Sequence, residues 1–254
     1  MKVSKYDFTG SVNKILKGFR LKNMKNILGI DGSKSGWIGV KQNTKGGSPS
    51  EIIFNRKLID FLSTDIELII IDMPVGLDKN IKQGGRLVDK EARKKLLKRK
   101  SSIFNAPIRD VLKAKSYDEA NNISKSKGLG ISKQSWNLVS KINELDQILQ
   151  IKIRPQIYES HPELCFQTMN NGELKFSKKE RLGIKERKNI LIKNGFDRKF
   201  IDNNLKKNKN FQPDDFLDAC ALSWTAKRII NKKNINLPED PERDELGIIM
   251  QMKV

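Results

Sequence analysis

Four carboxylates stand where a folded chain least tolerates a lone charge. Asp31, Asp72, Glu159 and Asp218 each interrupt or end an apolar segment. Asp72 closes Leu68-Ile69-Ile70-Ile71, which reads as a strand buried on both faces. Asp218 lies inside Phe216-Leu217-Asp218-Ala219-Cys220-Ala221-Leu222, a helix apolar almost all round. Burying an unpaired carboxylate costs on the order of 5 kcal/mol or more unless a metal, a cation or a proton compensates it. A shared divalent metal site is the simplest common explanation. Asp215, three residues before Asp218, shares its helical face and is a further candidate ligand. Hard oxygen donors favour Mg²⁺ or Mn²⁺ over zinc. Two such ions about 4 Å apart would activate water and stabilise the leaving oxygen in phosphodiester hydrolysis.

Each acid also has an ordinary reading. Asp31-Gly32 suits the primed turn of a hairpin, and Asp214 with Asp215 suits the positive N-terminus of a helix. Glu163, after Pro162, could do the same for another helix. Asp72-Met73-Pro74 has a weaker ordinary reading, because ligands gather beyond the carboxyl ends of parallel strands. Asp218 lies one turn into its helix, where capping cannot account for it. His161, the only histidine, sits two residues from Glu159, either as its local partner or as a surface residue.

The elements that must position these groups follow from periodicity and punctuation. Residues 27–31 read as a strand, 32–36 as a tight turn and 37–40 as the returning strand. A polar Gly/Ser/Pro loop, 43–50, leads to a third strand at 52–54. A short helix near 58–62 precedes the buried strand that ends at Asp72. The order is β-β-β-α-β. From Leu87 to Gln150 the pattern is mainly helical, broken at 101–107 and 128–132, with Ser132 placed to cap the last helix. A strand at 156–159, helices near 179–193 and 213–230, and an extended piece at 246–250 complete the reading. Residues 1–24 form a basic arm and 25–254 the folded domain, with its helical insertion at about 86–152.

Composition narrows the class. Of 254 residues 37% are hydrophobic, enough for one α/β core. No run of about 18 apolar residues and no signal-peptide pattern occurs, which points to a cytoplasmic protein that does not span a membrane. Two cysteines without a CxxC pair, and a single histidine, argue against structural zinc or a disulfide framework. A net charge of +20 suits a polyanionic partner, nucleic acid first, because basic side chains on phosphates release condensed counterions. The run 93–100 is the densest basic stretch, although such runs also serve as solvated helix faces.

Taken together, seven motifs in order resemble the domain of unknown function 429 family, described as predicted nucleases with a ribonuclease H-like fold. They are Gly29-Ile30-Asp31-Gly32 with Gly36-Trp37; 71–76; Arg86 with Asp89 and Arg93; 101–104; 141–144; 159–163; and 214–219. The resemblance implies a ribonuclease H-like α/β fold with a mixed central sheet. It maps the first-strand acid to Asp31, the acid after the fourth strand to Asp72 and the C-terminal helix acid to Asp218. The Asp215-x-x-Asp218-Ala219 spacing also looks like the end of RuvC-type resolvases. The family pattern makes Arg86, Arg93, Arg109 and Lys141 phosphate binders, with His161 beside them, whereas spacing alone would leave them as surface charges. Two alternatives stand beside a Mg²⁺- or Mn²⁺-dependent nuclease: a catalytically silent nucleic-acid-binding module, and an actin-like phosphotransferase using 32–36 to hold nucleotide phosphates. The last lacks both a P-loop and a second copy of the hairpin.

Overall fold

The computed structural model describes residues 26–44, 50–63, 65–151, 155–206 and 208–254. The basic arm expected at 1–24, and most of the polar loop expected at 43–50, lie outside them. The chain opens as an antiparallel hairpin, β1 (Asn26–Ser33) and β2 (Gly36–Asn43), extended by β3 (Glu51–Asn55). A 3₁₀ turn at Leu58–Phe61 then leads into β4 (Ile66–Ile71), which pairs with β1 in parallel.

Between β4 and the next strand the described residues include the α-helices α1 (Leu87–Lys95), α2 (Tyr117–Ser126) and α3 (Lys133–Leu149). Ser132 caps α3 as expected, its side chain accepting from the Ser135 N–H. Strand β5 (Gln156–Glu159) follows and lies parallel to β4. Then come α4 (Pro162–Asn170), α5 (Arg181–Lys193), α6 (Arg198–Asn204) and α7 (Pro213–Ile230). Two short strands end the chain, β6 (Asn236–Leu237) and β7 (Met252–Lys253). The mixed seven-stranded sheet has the order β3-β2-β1-β4-β5-β7-β6.

The extended piece expected at 246–250 is a loop. Asp244 gathers it, one carboxylate oxygen accepting from the Leu246 and Ile248 N–H groups at 2.9 Å each, while Gly247 adopts φ +78°. The last strand lies farther on, at 252–253.

Strand alternation divides the core in two. Ile27, Leu68 and Ile70 face α4, α5 and α7, where Phe166, Leu191, Phe216 and Leu217 meet them. Leu28, Ile30, Ile69 and Ile71 face the opposite side, against Ile142 and Leu145 of α3. Helix α7 lies close on β1. A Cβ at Gly29 would come within 2.1 Å of the Ser223 nitrogen and 2.4 Å of the Ala219 carbonyl oxygen, so only glycine permits this approach. Among the described residues no helix is long and apolar enough to cross a membrane.

Candidate functional site

Asp31 shares its strand parity with Ile27, and Asp72 continues that of Leu68 and Ile70, so both carboxylates face α7. The parallel register Ile30↔Ile71 puts them side by side at the carboxyl ends of adjacent strands, and the Asp72 N–H donates to the Ile30 carbonyl at 3.1 Å. Asp31 is therefore a strand residue paired with Ile38. The hairpin turn falls later, at Lys34–Ser35. Asp218 approaches from α7, held near β1 by the Gly29 contact.

The three acids act on one another. Burial, then repulsion from Asp72 and Asp218, pushes the Asp31 carboxyl well above the usual carboxylate range. Burial raises Asp72 to about 6. Asp218 also rises to about 6, because burial outweighs the attraction of Lys178. Lys178, from the loop between α4 and α5, puts its Nζ 2.5 Å from Asp218 Oδ2. The same three aspartates raise its pKa against the cost of burial. Asp218 Oδ1 is buried without a partner among the described residues.

Asp215 lies at the edge of this group. Its carboxylate accepts from the Gln212 N–H at 2.9 Å, closing a capping box at the start of α7, and burial raises its pKa. Asp214 pairs with Lys179 at 2.6 Å.

Glu159 does not join the cluster. It pairs with Ile71 in register and so faces the α3 side of the sheet. There it meets Arg86, whose Nη2 donates to Glu159 Oε1 at 2.7 Å and to Asp89 Oδ1 at 2.6 Å. Arg86 Nη1 donates to the Gly76 carbonyl at 2.8 Å, and Glu159 Oε2 accepts from the Val75 N–H at 2.8 Å. This buried network fastens the turn that follows Asp72.

The other cations are also engaged. Arg109 pairs with Asp146 at 3.0 Å and Asp244 at 2.5 Å. Arg93 donates to the carbonyls of Ile103 and Gly84. Lys141 Nζ donates to the Gly36 carbonyl at 2.6 Å and lies 4.3 Å from the Trp37 ring centroid; burial lowers its pKa while Glu144, Asp31 and Asp215 oppose that. Burial lowers the pKa of His161, and the charges it feels include Glu163, Lys178 and Asp218. Its Nε2 lies 3.4 Å from the Ser102 carbonyl, and its Nδ1 is buried with no partner among the described residues. Of the expected site residues, then, Asp31, Asp72 and Asp218 come together, with Asp215, Lys141 and His161 within their field. Glu159, Arg86, Arg93 and Arg109 are engaged elsewhere.

Two participants carry no sequence signal of their own. Lys178 is one lysine in a chain of 50 basic residues. Glu163, read as a helix-dipole residue, is buried and paired with Arg187 at 2.7 Å. Burial pushes the Cys165 thiol, beneath the site, up to about 11.

The donor chemistry of Asp31, Asp72 and Asp218 fits a hard divalent cation, and Asp218 Oδ1 offers an unused oxygen. As arranged, no group of three or more His, Cys, Asp or Glu side chains among the described residues is set to hold a metal ion. The cation between the carboxylates is the Lys178 ammonium.

The family described as protein of unknown function (DUF429) matches residues 29–243. The chain belongs to the DUF429 family. That span runs from β1 past α7 and takes in all three clustered aspartates. No curated protein and no solved structure matches the chain.

Proposed function

We propose that this DUF429 member is a metal-dependent nuclease of ribonuclease H-like fold. Asp31, Asp72 and Asp218 would hold Mg²⁺ or Mn²⁺, and basic side chains would seat the phosphates. The observation that carries the reading is the convergence of two buried carboxylates, Asp31 and Asp218, with the half-buried Asp72, distant in sequence, at the carboxyl ends of β1 and β4, with one oxygen unpartnered among the described residues. The β-β-β-helix-β order and the mixed sheet support the fold assignment. Bound Mg²⁺ or Mn²⁺ supplies water activation and neutralisation of charge on phosphoryl oxygens.

The protein's own residues do the rest. Asp31 and Asp72 are fixed by the strand ends and Asp218 by α7. Lys178, which pairs with Asp218, would give up that contact where Asp218 holds a divalent ion. Glu159, with Arg86 and Asp89, acts as a positioning residue for Asp72 through the 73–76 turn. Lys141, which feels the charge of Asp31 and Asp215, would meet a phosphate on leaving the Gly36 carbonyl.

One observation favours a second reading. The Lys178–Asp218 pair compensates the cluster internally, as a catalytically silent nucleic-acid-binding module would. Calorimetric titration with Mn²⁺ separates the two. The nuclease reading expects binding by the wild type, no binding by Asp72→Asn/Asp218→Asn and tighter binding by Lys178→Met. Absence of binding in both the wild type and Lys178→Met would favour the silent module.

A further inference from the structure

A cavity of about 570 Å³ lies between the loop after β4, residues 100–108 and the start of α3. Neither the clustered aspartates nor Lys178 lines it. Its walls are tied together. Arg93 Nη1 donates to the Ile103 carbonyl at 2.9 Å and Nη2 to that of Gly84. Ser135 Oγ donates to the Asn105 carbonyl at 2.9 Å. Gly85 adopts φ +84°, and a Cβ there would lie 2.8 Å from Asn105 Oδ1, so glycine leaves room for that amide.

The lining combines three chemistries. The side-chain amides of Asn105 and Gln134 and the ammonium of Lys100 make no hydrogen bond or ion pair with other described residues. Phe104 and Ile103 supply apolar surface. Arg93 and Lys100 supply positive charge, while Asp78, the one acid in the lining, pairs with Lys82 at 3.1 Å.

We infer that this cavity binds a nucleoside monophosphate unit, either a free nucleotide or the terminal nucleotide of a strand. Each amide offers a donor beside an acceptor, the pattern presented by a base edge. An aromatic side chain gives a base a stacking surface. Lys100 favours the phosphate, and Arg93, whose fork is engaged by the Ile103 and Gly84 carbonyls, adds positive charge from the wall. The volume lies within the range of small-molecule sites, roughly 300–1,000 Å³. The site needs none of the acidic cluster, so it stands whether or not that cluster is catalytic.

The test is calorimetry on the full chain without divalent ions, using adenosine and uridine monophosphates, the free nucleosides and inorganic phosphate. A monophosphate is expected to bind at least about tenfold more tightly than either its nucleoside or inorganic phosphate, as expected when both ends are recognised. Lys100→Ala and Asn105→Ala, both at exposed positions, should each weaken it about tenfold while melting near the wild type. Asp218→Asn should bind unchanged, which separates the two sites. Displacement of the nucleotide by a 5′-phosphorylated oligonucleotide, but not by its unphosphorylated form, would identify a strand end as the source; failure of both would identify a free nucleotide. No monophosphate binding, equal affinity for inorganic phosphate, or binding unaltered in both cavity variants would overturn the inference.

Discussion

Lys178 is the residue on which the acidic cluster turns. Removing its charge leaves the buried Asp31 and Asp218 and the half-buried Asp72 mutually repelling. Its side chain is 34% exposed, so part of the ion pair is screened by water. Lys178→Met should therefore destabilise the protein by about 1–2 kcal/mol, less than the loss of a fully buried partner. Urea unfolding measures this, and added Mn²⁺ should restore the loss if the carboxylates are ligands. Glu159→Gln tests the other ionic centre. Glu159 and Arg86 are 3% and 2% exposed, so no water screens the pair or replaces it. Neutralising Glu159 leaves Asp89 as the one carboxylate paired with Arg86 among the described residues and should cost about 3–5 kcal/mol, read as a shift in the urea midpoint. A loss below about 1 kcal/mol would show that the network does not hold the Asp72 turn.

At the scale of elements, the site depends on how closely α7 lies on β1. Gly29→Val would drive side-chain atoms into the Ser223 nitrogen and the Ala219 carbonyl, backbone atoms that cannot swing away. A loss of about 3 kcal/mol or more is expected in thermal or urea unfolding, and Asp218 would move away from Asp31 with the helix. This contact sits between elements that sequence reading located well. Strand β4 and helix α7 carry strong hydrophobic runs, and Pro162 and Pro213 stand at the starts of their helices. Shorter elements were not legible. Helix α6 buries only Ile201 and β7 meets β5 through a single residue pair, so neither has enough periodicity to announce itself. The loop at 246–250 looked extended because its apolar residues conceal the pull of Asp244 on its backbone. Asp31, Asp72 and Asp218 were legible because a charge inside an apolar run is conspicuous. The face of Glu159 was not, since it depends on the register Ile71↔Glu159, and its partner Arg86 lies 73 residues away.

For the whole molecule, buried acids set the pH response. Asp72 and Asp218 hold their protons up to about pH 6 in the folded state, against an ordinary value of 3.8. Between these values the folded chain binds more protons than the unfolded one, so their contribution favours folding at low pH and is lost as pH rises through about 6. The stability of the wild type relative to Asp218→Asn should therefore fall between pH 4 and 7 when both are unfolded in urea at each pH. A constant difference would mean that Asp218 is not held protonated. The charge of +20 has a separate consequence. Nucleic-acid affinity should decline linearly with the logarithm of salt concentration, with a slope of about −0.9 per neutralised duplex phosphate. Fluorescence anisotropy across a salt series reads that slope, and a flat response would exclude a phosphate-tracking surface. The most direct test of the central claim is cleavage of labelled single-stranded, duplex, hybrid and junction nucleic acids in Mn²⁺ by the wild type and by folded Asp218→Asn. The nuclease account predicts wild-type product from at least one of them and a fall of about 10²-fold or more in the variant. Equal cleavage by both proteins, or none by a wild type that binds Mn²⁺, would contradict it.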